Sequence, residues 1–387
     1  MSYIPPHKRH SKDPNRPSPV PDSLVTKFKK NLNFKNSSDK LNRIVYSGDS
    51  MSKWFLFGSN GIEDEIPPSA KFVTLSSDSV ECRNGKKPSI LMSNNVQKES
   101  EEEEEKSRWL SVAEKLEEDL VLAYEKAKTA MEENQHVLRL VARFGKIFFY
   151  GDQAGTVVNC SRKPLNKMFS ADVPTSYIEH LKSKVLPSHG FCFDLEKERY
   201  TVKVSHYTRP SEAIICKCTL KEDGKLSLYK AELNLVRHLV VDVSCIDKNL
   251  DMRLLLASKR NMTALNEKEM SDIKGLLDSA TVDPNVKGGL RWPLGRSSSG
   301  DGYKVFEACH ARSTVYTKGT LRLRFRETDR FNERIGTGEI KREVTLMLKD
   351  LNTKLQEQNT ERACVLAMLR DTLGTLWDFL HCDAYLT

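Results

Sequence analysis

The chain has 387 residues, of which 39% are hydrophobic and 29% are charged, and its formal net charge at pH 7 is +8. This length is enough for one large domain or two ordinary domains. No window approaches the run of about 18 uncharged apolar residues that a membrane-spanning helix requires, and the first residues lack the apolar core of a secretory signal. We therefore expect a protein that does not associate with membranes.

The nine cysteines are scattered along the chain, and no Cys-x-x-Cys motif occurs. The disulfide framework of a small secreted domain is denser and more regular, so the pattern predicts reduced thiols in the nucleus, the cytoplasm or both. Cys216 and Cys218 share one face of a predicted strand, but a zinc site needs a second pair of ligands at a suitable spacing. Buried thiols are the simpler interpretation, and the sequence predicts neither a metal nor a cofactor.

Basic residues are concentrated at the N-terminus. Residues 1–43 contain ten lysines and arginines against three aspartates, so this segment carries +7 of the total charge of +8. It is also rich in proline, serine and asparagine, and such segments bury too little apolar surface to fold. We predict a disordered basic arm that binds phosphates by releasing counterions, with a solubilising tail or a nuclear import signal as the alternative. Its candidate nucleic-acid contacts are Lys8, Arg9, Lys27, Lys29 and Lys30.

Two segments of different composition follow the arm. Residues 44–96 contain short apolar runs broken by turn residues, which indicates short strands or a loosely attached segment. Residues 97–108 include an unbroken run of five glutamates from Glu101 to Glu105. Like charges repel one another and stay solvated, so we predict an acidic linker there.

The remaining residues, 109–387, carry the periodicities of an α+β domain. Apolar residues recur every three to four positions in the predicted helices, and β-branched or aromatic residues alternate with polar ones in the predicted strands. The helices are predicted over 108–133, 174–186, 267–280 and 351–381. The strands are predicted over 137–151, in a meander over 191–260, and near 303–316, 321–327 and 339–349. Because the turns between strands are short, we expect a mostly antiparallel sheet covered by helices.

The C-terminal helix over 351–381 has a continuous apolar side. Leu351, Leu355 and further leucines down to Leu380 recur at nearly heptad spacing. A coiled coil with a protein partner is one interpretation of that spacing, and an ordinary helix covering the sheet is the other.

The strand over 321–327 alternates three leucine or phenylalanine residues with Arg322, Arg324 and Arg326. Three guanidiniums on one face are suited to phosphate or RNA, because each offers a planar fork of donors. The alternative is a ladder of ion pairs with Glu339 and Glu343 on the neighbouring strand.

The loop over 287–302 combines glycines with Arg291, Trp292 and Arg296. Glycines permit close approach of a ligand to the backbone, and arginine with tryptophan provides charge and stacking. The alternative is a structural loop fixed by a buried Trp292.

No catalytic residues are predicted, because the histidines lie in no recognisable nucleophile motif. A Walker A loop is absent, and no predicted strand carries the Glu-x-Glu-x-Lys pattern of a triphosphate-binding tunnel. An enzyme acting on a phosphorylated substrate is therefore the third functional interpretation.

Two resemblances concern named segments. The segment Tyr3 to Arg9 resembles the N-terminal Tyr-Ile-Pro-Pro-His-Leu-Arg of DEAD-box translation helicases, with Lys8 in place of leucine. The whole chain resembles an uncharacterised land-plant family, a domain of unknown function that begins Met-Ser-Tyr-Ile-Pro-Pro-His-Lys-Arg. The matching segments are 143–146, 237–245 and 287–295. This resemblance implies no known activity.

Together the patterns predict non-catalytic binding of RNA or a ribonucleoprotein. The basic arm is expected to supply affinity, and the arginine strand and tryptophan loop are expected to orient the ligand. The second hypothesis is an interaction scaffold that binds a protein partner through residues 351–381.

Overall fold

The structure, a computed structural model, describes residues 44–58, 61–63, 66, 70–75, 87–93, 102–129, 136–150, 166–233, 235–260, 265–292, 302–333, 336–357 and 361–380. Within these residues a curled, mixed β-sheet dominates, so the chain is an α+β protein with more sheet than helix. The predicted basic arm and Arg296 lie outside the described residues.

The strands are numbered in chain order. They are β1 (Val45–Gly58), β2 (Gly61–Glu63), β3 (Ala70–Thr74), β4 (Ser89–Ser93), β5 (His136–Tyr150), β6 (Asn166–Ser170), β7 (Cys192–His206), β8 (Arg209–Leu220), β9 (Leu226–Leu233), β10 (Val236–Cys245), β11 (Asp251–Arg260), β12 (Thr281–Val282), β13 (Leu290–Arg291), β14 (Tyr303–Lys318), β15 (Leu321–Asn332) and β16 (Thr337–Leu348). Within the described residues, β12 and β13 form a separate pair, and the other strands belong to one sheet.

The order of strands along the sheet is β2-β1-β10-β11-β5-β16-β15-β14-β7-β8-β9, and β3, β4 and β6 join it beside β5. The pairing of β1 with β10 is parallel, and the other described pairings are antiparallel. The sheet is therefore mixed, although antiparallel pairs are the majority, as predicted. Residues 44–96 contribute strands β1 to β4 to this same sheet.

The predicted meander over 191–260 is interrupted. Strands β7, β8 and β9 are consecutive neighbours, but β10 pairs with β1 and β11 instead of β9. The reason is that the sheet curls until β9 approaches β11, where Lys259 Nζ lies 3.2 Å from Glu232 Oε2. Strands β11, β5, β16, β15, β14, β7, β8 and β9 thus form a ring, whose β9–β11 seam is bridged by side chains. We call its concave side the inner face.

Helices cover the outer face of the ring. Helix α1 (Glu102–Thr129) and helix α6 (Arg362–Trp377) pack together over β10, β11, β5, β16 and β15 in the largest apolar core. A second core lies between β7, β8, β14 and helix α4 (Glu267–Asp278). Because side chains alternate between the faces of a strand, burying every second residue outward leaves the residues between them on the inner face.

Two helix boundaries differ from the sequence expectation, and one predicted cap is present. Helix α1 begins at Glu102, so the glutamates that were assigned to an acidic linker from this residue onward are helical. Helix α2 (Thr175–His180) continues as a π-helical turn and ends in the short helix α3 (Leu186–Ser188), past the predicted end at residue 186. The helix α4 has the predicted capping box, formed by Asn266 and Glu269.

The single helix predicted over 351–381 is two helices. Helix α5 (Lys349–Gln356) ends where Glu357 adopts an extended conformation, and α6 begins at Arg362. Residues 356–362 contain no apolar side chain, so a continuous helix would expose this turn without any packing to stabilise it. No helix in the described part of the chain is long and apolar enough to cross a lipid bilayer.

Candidate functional site

The inner face of the ring is strongly basic. Directly opposite residues on neighbouring strands share a face, so the strand register assigns the inward positions. Among the described residues these positions include the carboxylates Glu232, Asp251, Glu307, Glu339 and Glu343, and Asp194 and Asp242 pair with the inward arginines Arg322 and Arg253. The basic side chains at these positions are more numerous: Arg139, Arg143, Lys197, Arg199, Lys203, Lys217, Lys230, Arg253, Lys259, Lys304, Arg322, Arg324, Arg326, Arg330 and Lys341. This excess of positive charge makes the inner face suited to an anionic ligand.

A buried carboxylate organises the end of the inner face near β14. Glu307 is 1% exposed and lies 2.6 Å from Lys203 Nζ and 2.5 Å from a terminal nitrogen of Arg330. Arg330 also donates a hydrogen bond to Glu339, and Glu339 forms a second ion pair with Lys341 at 2.9 Å. Burial disfavours ionisation of Glu307, yet the adjacent cations hold its pKa below the ordinary value. Charges at this end are therefore largely paired within the protein.

Three lysines converge on one carboxylate at the seam. Glu232 on β9 is fully buried and lies 2.6 Å from Lys217, 3.0 Å from Lys230 and 3.2 Å from Lys259. Although burial favours its neutral form, the lysines lower the pKa of Glu232 to about 2. Burial, followed by repulsion from Lys217, lowers the pKa of Lys259 to about 8. One carboxylate facing three ammonium groups leaves this cluster with excess positive charge.

Four arginines form a cluster between these two ends, which we call the arginine cluster: Arg143 on β5, Arg199 on β7, and Arg324 and Arg326 on β15. Burial, and then the neighbouring Arg326, lower the pKa of Arg324 to about 10. Arg143 and Arg199 act in the same direction, and Glu343 opposes them. Glu343 is only a distant partner, 3.9 Å from Arg143.

The arginine cluster also has unused hydrogen-bond donors. The Nε atoms of Arg143 and Arg324 are buried and have no hydrogen-bond partner. A buried donor without a partner costs about 1–3 kcal/mol, more for a charged group. An anion bound between these side chains would supply both the missing acceptor and the missing negative charge.

The predicted arginine strand has the expected alternation. Leu323 and Phe325 lie in the outer core, whereas Arg322, Arg324 and Arg326 occupy inward positions. The alternative interpretation is a ladder of ion pairs between neighbouring strands. One of the three arginines fits it, because Arg326 lies opposite Glu343 on β16.

The other two arginines have no carboxylate opposite them on β16. Arg324 lies opposite Thr345 and Arg322 opposite Met347, although Arg322 reaches Asp194 on β7 at 3.3 Å. The second glutamate of the expected ladder, Glu339, pairs with Arg330.

The tryptophan loop lies away from the inner face. Trp292 packs against the second core, and its Nε1 donates to the carbonyl of Leu276 at 3.2 Å. Arg291 is half exposed and forms an ion pair with Asp283 at 3.0 Å. The structure therefore does not bring Arg291 and Trp292 together with the arginine strand, and Trp292 has the structural environment of the alternative interpretation.

The predicted partner surface on the C-terminal helix is covered within the chain. The apolar residues Val365, Leu369, Leu373 and Leu376 of α6 are buried in the core shared with α1. The structure thus has the sheet-covering helix of the second interpretation. Binding of a protein through other parts of 351–381 stays a prediction.

The buried-thiol interpretation of the cysteines is confirmed for the central pair. Cys216 and Cys218 are buried in the second core, and burial raises the pKa of Cys218 to about 12. The described residues contain no group of three or more His, Cys, Asp or Glu side chains arranged to hold a metal ion.

Sequence reasoning missed Arg143 and Arg199, the members of the cluster outside β15. A signal exists for Arg143, because Arg139 and Arg143 interrupt an otherwise apolar strand at an even spacing, which places both on one face. Arg199 follows Glu196, Lys197 and Glu198, and nothing in that polar stretch distinguishes it. Only the curl of the sheet brings β7 and β5 to the same cluster.

Comparison with known proteins gives one family match and a distant structural likeness. The model of the family described as "Domain of unknown function (DUF7903)" matches residues 38–380. The search of curated proteins gave no match. The structure of S. pombe Pct1 RNA triphosphatase in complex with the Spt5 CTD is 10% identical, with a TM-score of 0.45 over 70% of this chain and 93% of that chain. A second structure of S. pombe Pct1 RNA triphosphatase is 11% identical, with the same TM-score over 70% of this chain and 92% of that chain.

Proposed function

The chain belongs to the DUF7903 family, and from its own residues we propose that it binds RNA, alone or in a ribonucleoprotein, without catalysis. The phosphates lie on the inner face, with the arginine cluster as the principal contact. The basic arm adds affinity that does not depend on RNA sequence. The nucleus, the cytoplasm or both are the compartments in which we propose that it acts.

The observation that carries this proposal is the incomplete pairing of the arginine cluster. Four guanidiniums approach one another against a single carboxylate, Glu343, and two of them keep a buried Nε without an acceptor. Repulsion of this kind is unfavourable in the free protein and is relieved when an anion binds. Arginine is the residue best suited to phosphate, because its planar fork donates two parallel hydrogen bonds.

The extent of the basic surface favours a polymer over a single phosphate. Arg139 and Arg143 lie on the same face of β5, four residues apart, and the charge of Arg139 acts on Lys259 at the seam. At about 3.3 Å per residue the two arginines are about 13 Å apart. More than one phosphate of a strand is needed to occupy a surface of that length. The binding strength is then expected to fall steeply with salt, because each neutralised phosphate releases counterions.

The proposal is tested by anisotropy of a fluorescent single-stranded RNA titrated with the full chain at about 50 and 200 mM salt. The double variant Arg324→Met, Arg326→Met is expected to weaken binding at least about tenfold, since a charge-assisted hydrogen bond contributes about 1.5–3 kcal/mol. The matched control is Arg370→Met, which removes an exposed arginine from the outer helix α6.

Binding that is equal in the double variant and the wild type would exclude the arginine cluster as the contact. Absence of binding by the wild type at the lower salt concentration would overturn the proposal as a whole. Recovering the RNA after incubation and measuring its length and terminal phosphates separates binding from a reaction. Unchanged RNA is the expected result, and a changed terminus would point to the enzyme interpretation.

A further inference from the structure

The basic inner face continues past the ring onto β10 and β1. These two strands extend the sheet from β11, and their register with it is defined residue by residue. Two rows of directly opposite residues cross from β1 to β5. The first row is Tyr46, Arg237, Ala257 and Arg139, and the second is Trp54, Asp242, Arg253 and Arg143. Each row begins with an aromatic residue and ends with an arginine of the inner face.

The first row places an exposed ring beside a guanidinium. Tyr46 is 49% exposed, and the guanidinium carbon of Arg237 lies 5.9 Å from its ring centroid. The row reaches Arg139 on β5, whose charge acts on Lys259 at the seam. Tyr46 therefore presents one open aromatic surface at the outer end of a basic row.

The second row is more tightly organised. The indole of Trp54 is half-buried and is fixed by a hydrogen bond from Nε1 to Ser244 Oγ at 2.9 Å. Asp242 accepts two hydrogen bonds from Arg253, at 2.6 and 2.9 Å. These bonds orient the guanidinium of Arg253 over Phe169, with its Cζ 4.7 Å from the ring centroid. The flat groups of this row are thus held in place before any ligand arrives.

The second row also leads directly to the arginine cluster. Its last member, Arg143, lies opposite Thr345 on β16, which lies opposite Arg324 on β15. On β5 the two rows are four residues apart, which is about 13 Å. Tyr46 and Trp54 thus lie on the same face of the sheet as the arginines of the ring.

We infer that Tyr46 and Trp54 stack on bases of single-stranded RNA whose phosphates bind the adjacent arginines. This inference rests on the proposed function and assigns it a second contact. Aromatic rings interleaved with cations are the common device for single strands, because every base has a flat face and every nucleotide has a phosphate. A cation lies near each ring, Arg237 at Tyr46 and Lys167 at Trp54, where Nζ is 6.0 Å from the ring centroid. These cations favour this occupant over an apolar peptide, whose side chains would not repay the desolvation of the charges.

The test compares two fluorescent probes of equal length and charge, an oligouridylate and its abasic ribose-phosphate counterpart, on the full chain. The wild type is expected to bind the oligouridylate about fivefold to tenfold more tightly for each stacked base, the lower part of the range for stacking on aromatic residues. Tyr46→Leu removes the aromatic ring, keeps an apolar side chain, and is expected to reduce the preference by the share of one stacked base, about fivefold to tenfold, without weakening binding of the abasic probe. Tyr46→Phe is expected to restore it.

The control is Tyr207→Leu, which replaces an exposed tyrosine in the turn after β7. Trp54→Leu is the second variant, checked by circular dichroism because Trp54 also contacts an apolar cluster. Equal binding of both probes by the wild type would overturn the stacking inference and leave phosphate binding intact. A preference that is undiminished in both Tyr46→Leu and Trp54→Leu would place the base contacts elsewhere, whereas failure of both probes to bind would refute the proposed function itself.

Discussion

Replacing Arg324 by methionine is expected to stabilise the protein while weakening its binding to RNA. Methionine replaces the aliphatic part of the arginine side chain, but it is shorter and carries no charge and no donor. In the free protein Arg324 is a buried guanidinium beside Arg326, with a buried Nε that has no acceptor. Its removal relieves this repulsion, but it also removes a contact to phosphate.

The magnitude follows from the pKa of Arg324. Burial and the neighbouring arginines lower this pKa from the ordinary value of about 12.5 to about 10, and each pKa unit corresponds to about 1.4 kcal/mol. The upper limit of the stabilisation is therefore about 3 kcal/mol. Because water partly screens this side chain, we expect about 1–2 kcal/mol. Binding should weaken by roughly tenfold, the lower end of the range for a charge-assisted hydrogen bond.

The sign of the pH dependence is fixed by the same shift. The folded state binds this proton less tightly than the unfolded state, so the destabilisation is fully present below pH 10 and decreases as the pH rises above it. Urea unfolding at pH 7, followed by circular dichroism, measures the stability, and RNA anisotropy measures the affinity. A variant that is less stable than the wild type, or one that binds RNA equally well, would refute the reasoning; Arg370→Met should change neither quantity strongly.

Three further predictions concern the arm, the seam and the fold. Changing Lys27, Lys29 and Lys30 together to glutamine should reduce the slope of log affinity against log salt by about 2, the value for three contacts to a single strand; an unchanged slope would remove these lysines from the interface. The pKa of Lys259 is lowered to about 8, so the folded state releases this proton first and stability should rise between about pH 8 and 10. Denaturant titrations of Lys259→Met across that window should lack the rise. Gly145→Ala should destabilise the protein by more than about 2 kcal/mol, because a Cβ there would lie 2.0 Å from the carbonyl oxygen of Ser170 on β6. An unchanged unfolding midpoint would show that β6 moves away from the added methyl group at little cost in free energy.

Local patterns in the sequence were sufficient to predict most of the strands and the capped helix α4. The alternation of Arg322 and Arg324 with leucines predicted a charged face on β15, and the structure has that face. Period-2 alternation is a local property, so one sequence contains it. The break between α5 and α6 was also visible as a stretch without apolar side chains, although the heptad-like spacing on either side concealed it.

The ring itself could not be predicted, because it depends on contacts between distant strands. Strands β9 and β10 are adjacent in sequence, which favoured a meander, but curling places β9 beside β11. The arginine cluster inherits this problem, since Arg199 and Arg143 meet only after the sheet has curled. Trp292 shows the opposite error: a tryptophan beside arginines is typical of a stacking site, yet its burial against α4 uses the ring for packing.

The account is tested most directly by locating bound RNA on the full chain. RNA carrying photoreactive uridines is cross-linked to the protein, and the modified peptides are identified by mass spectrometry. We predict cross-links on the inner-face strands β5, β7 and β15 and on β1 near Tyr46, all of which are lost in high salt. Cross-links confined to the outer helices α1 and α6, or to residues 1–43 alone, would contradict the claim that the curled sheet binds RNA.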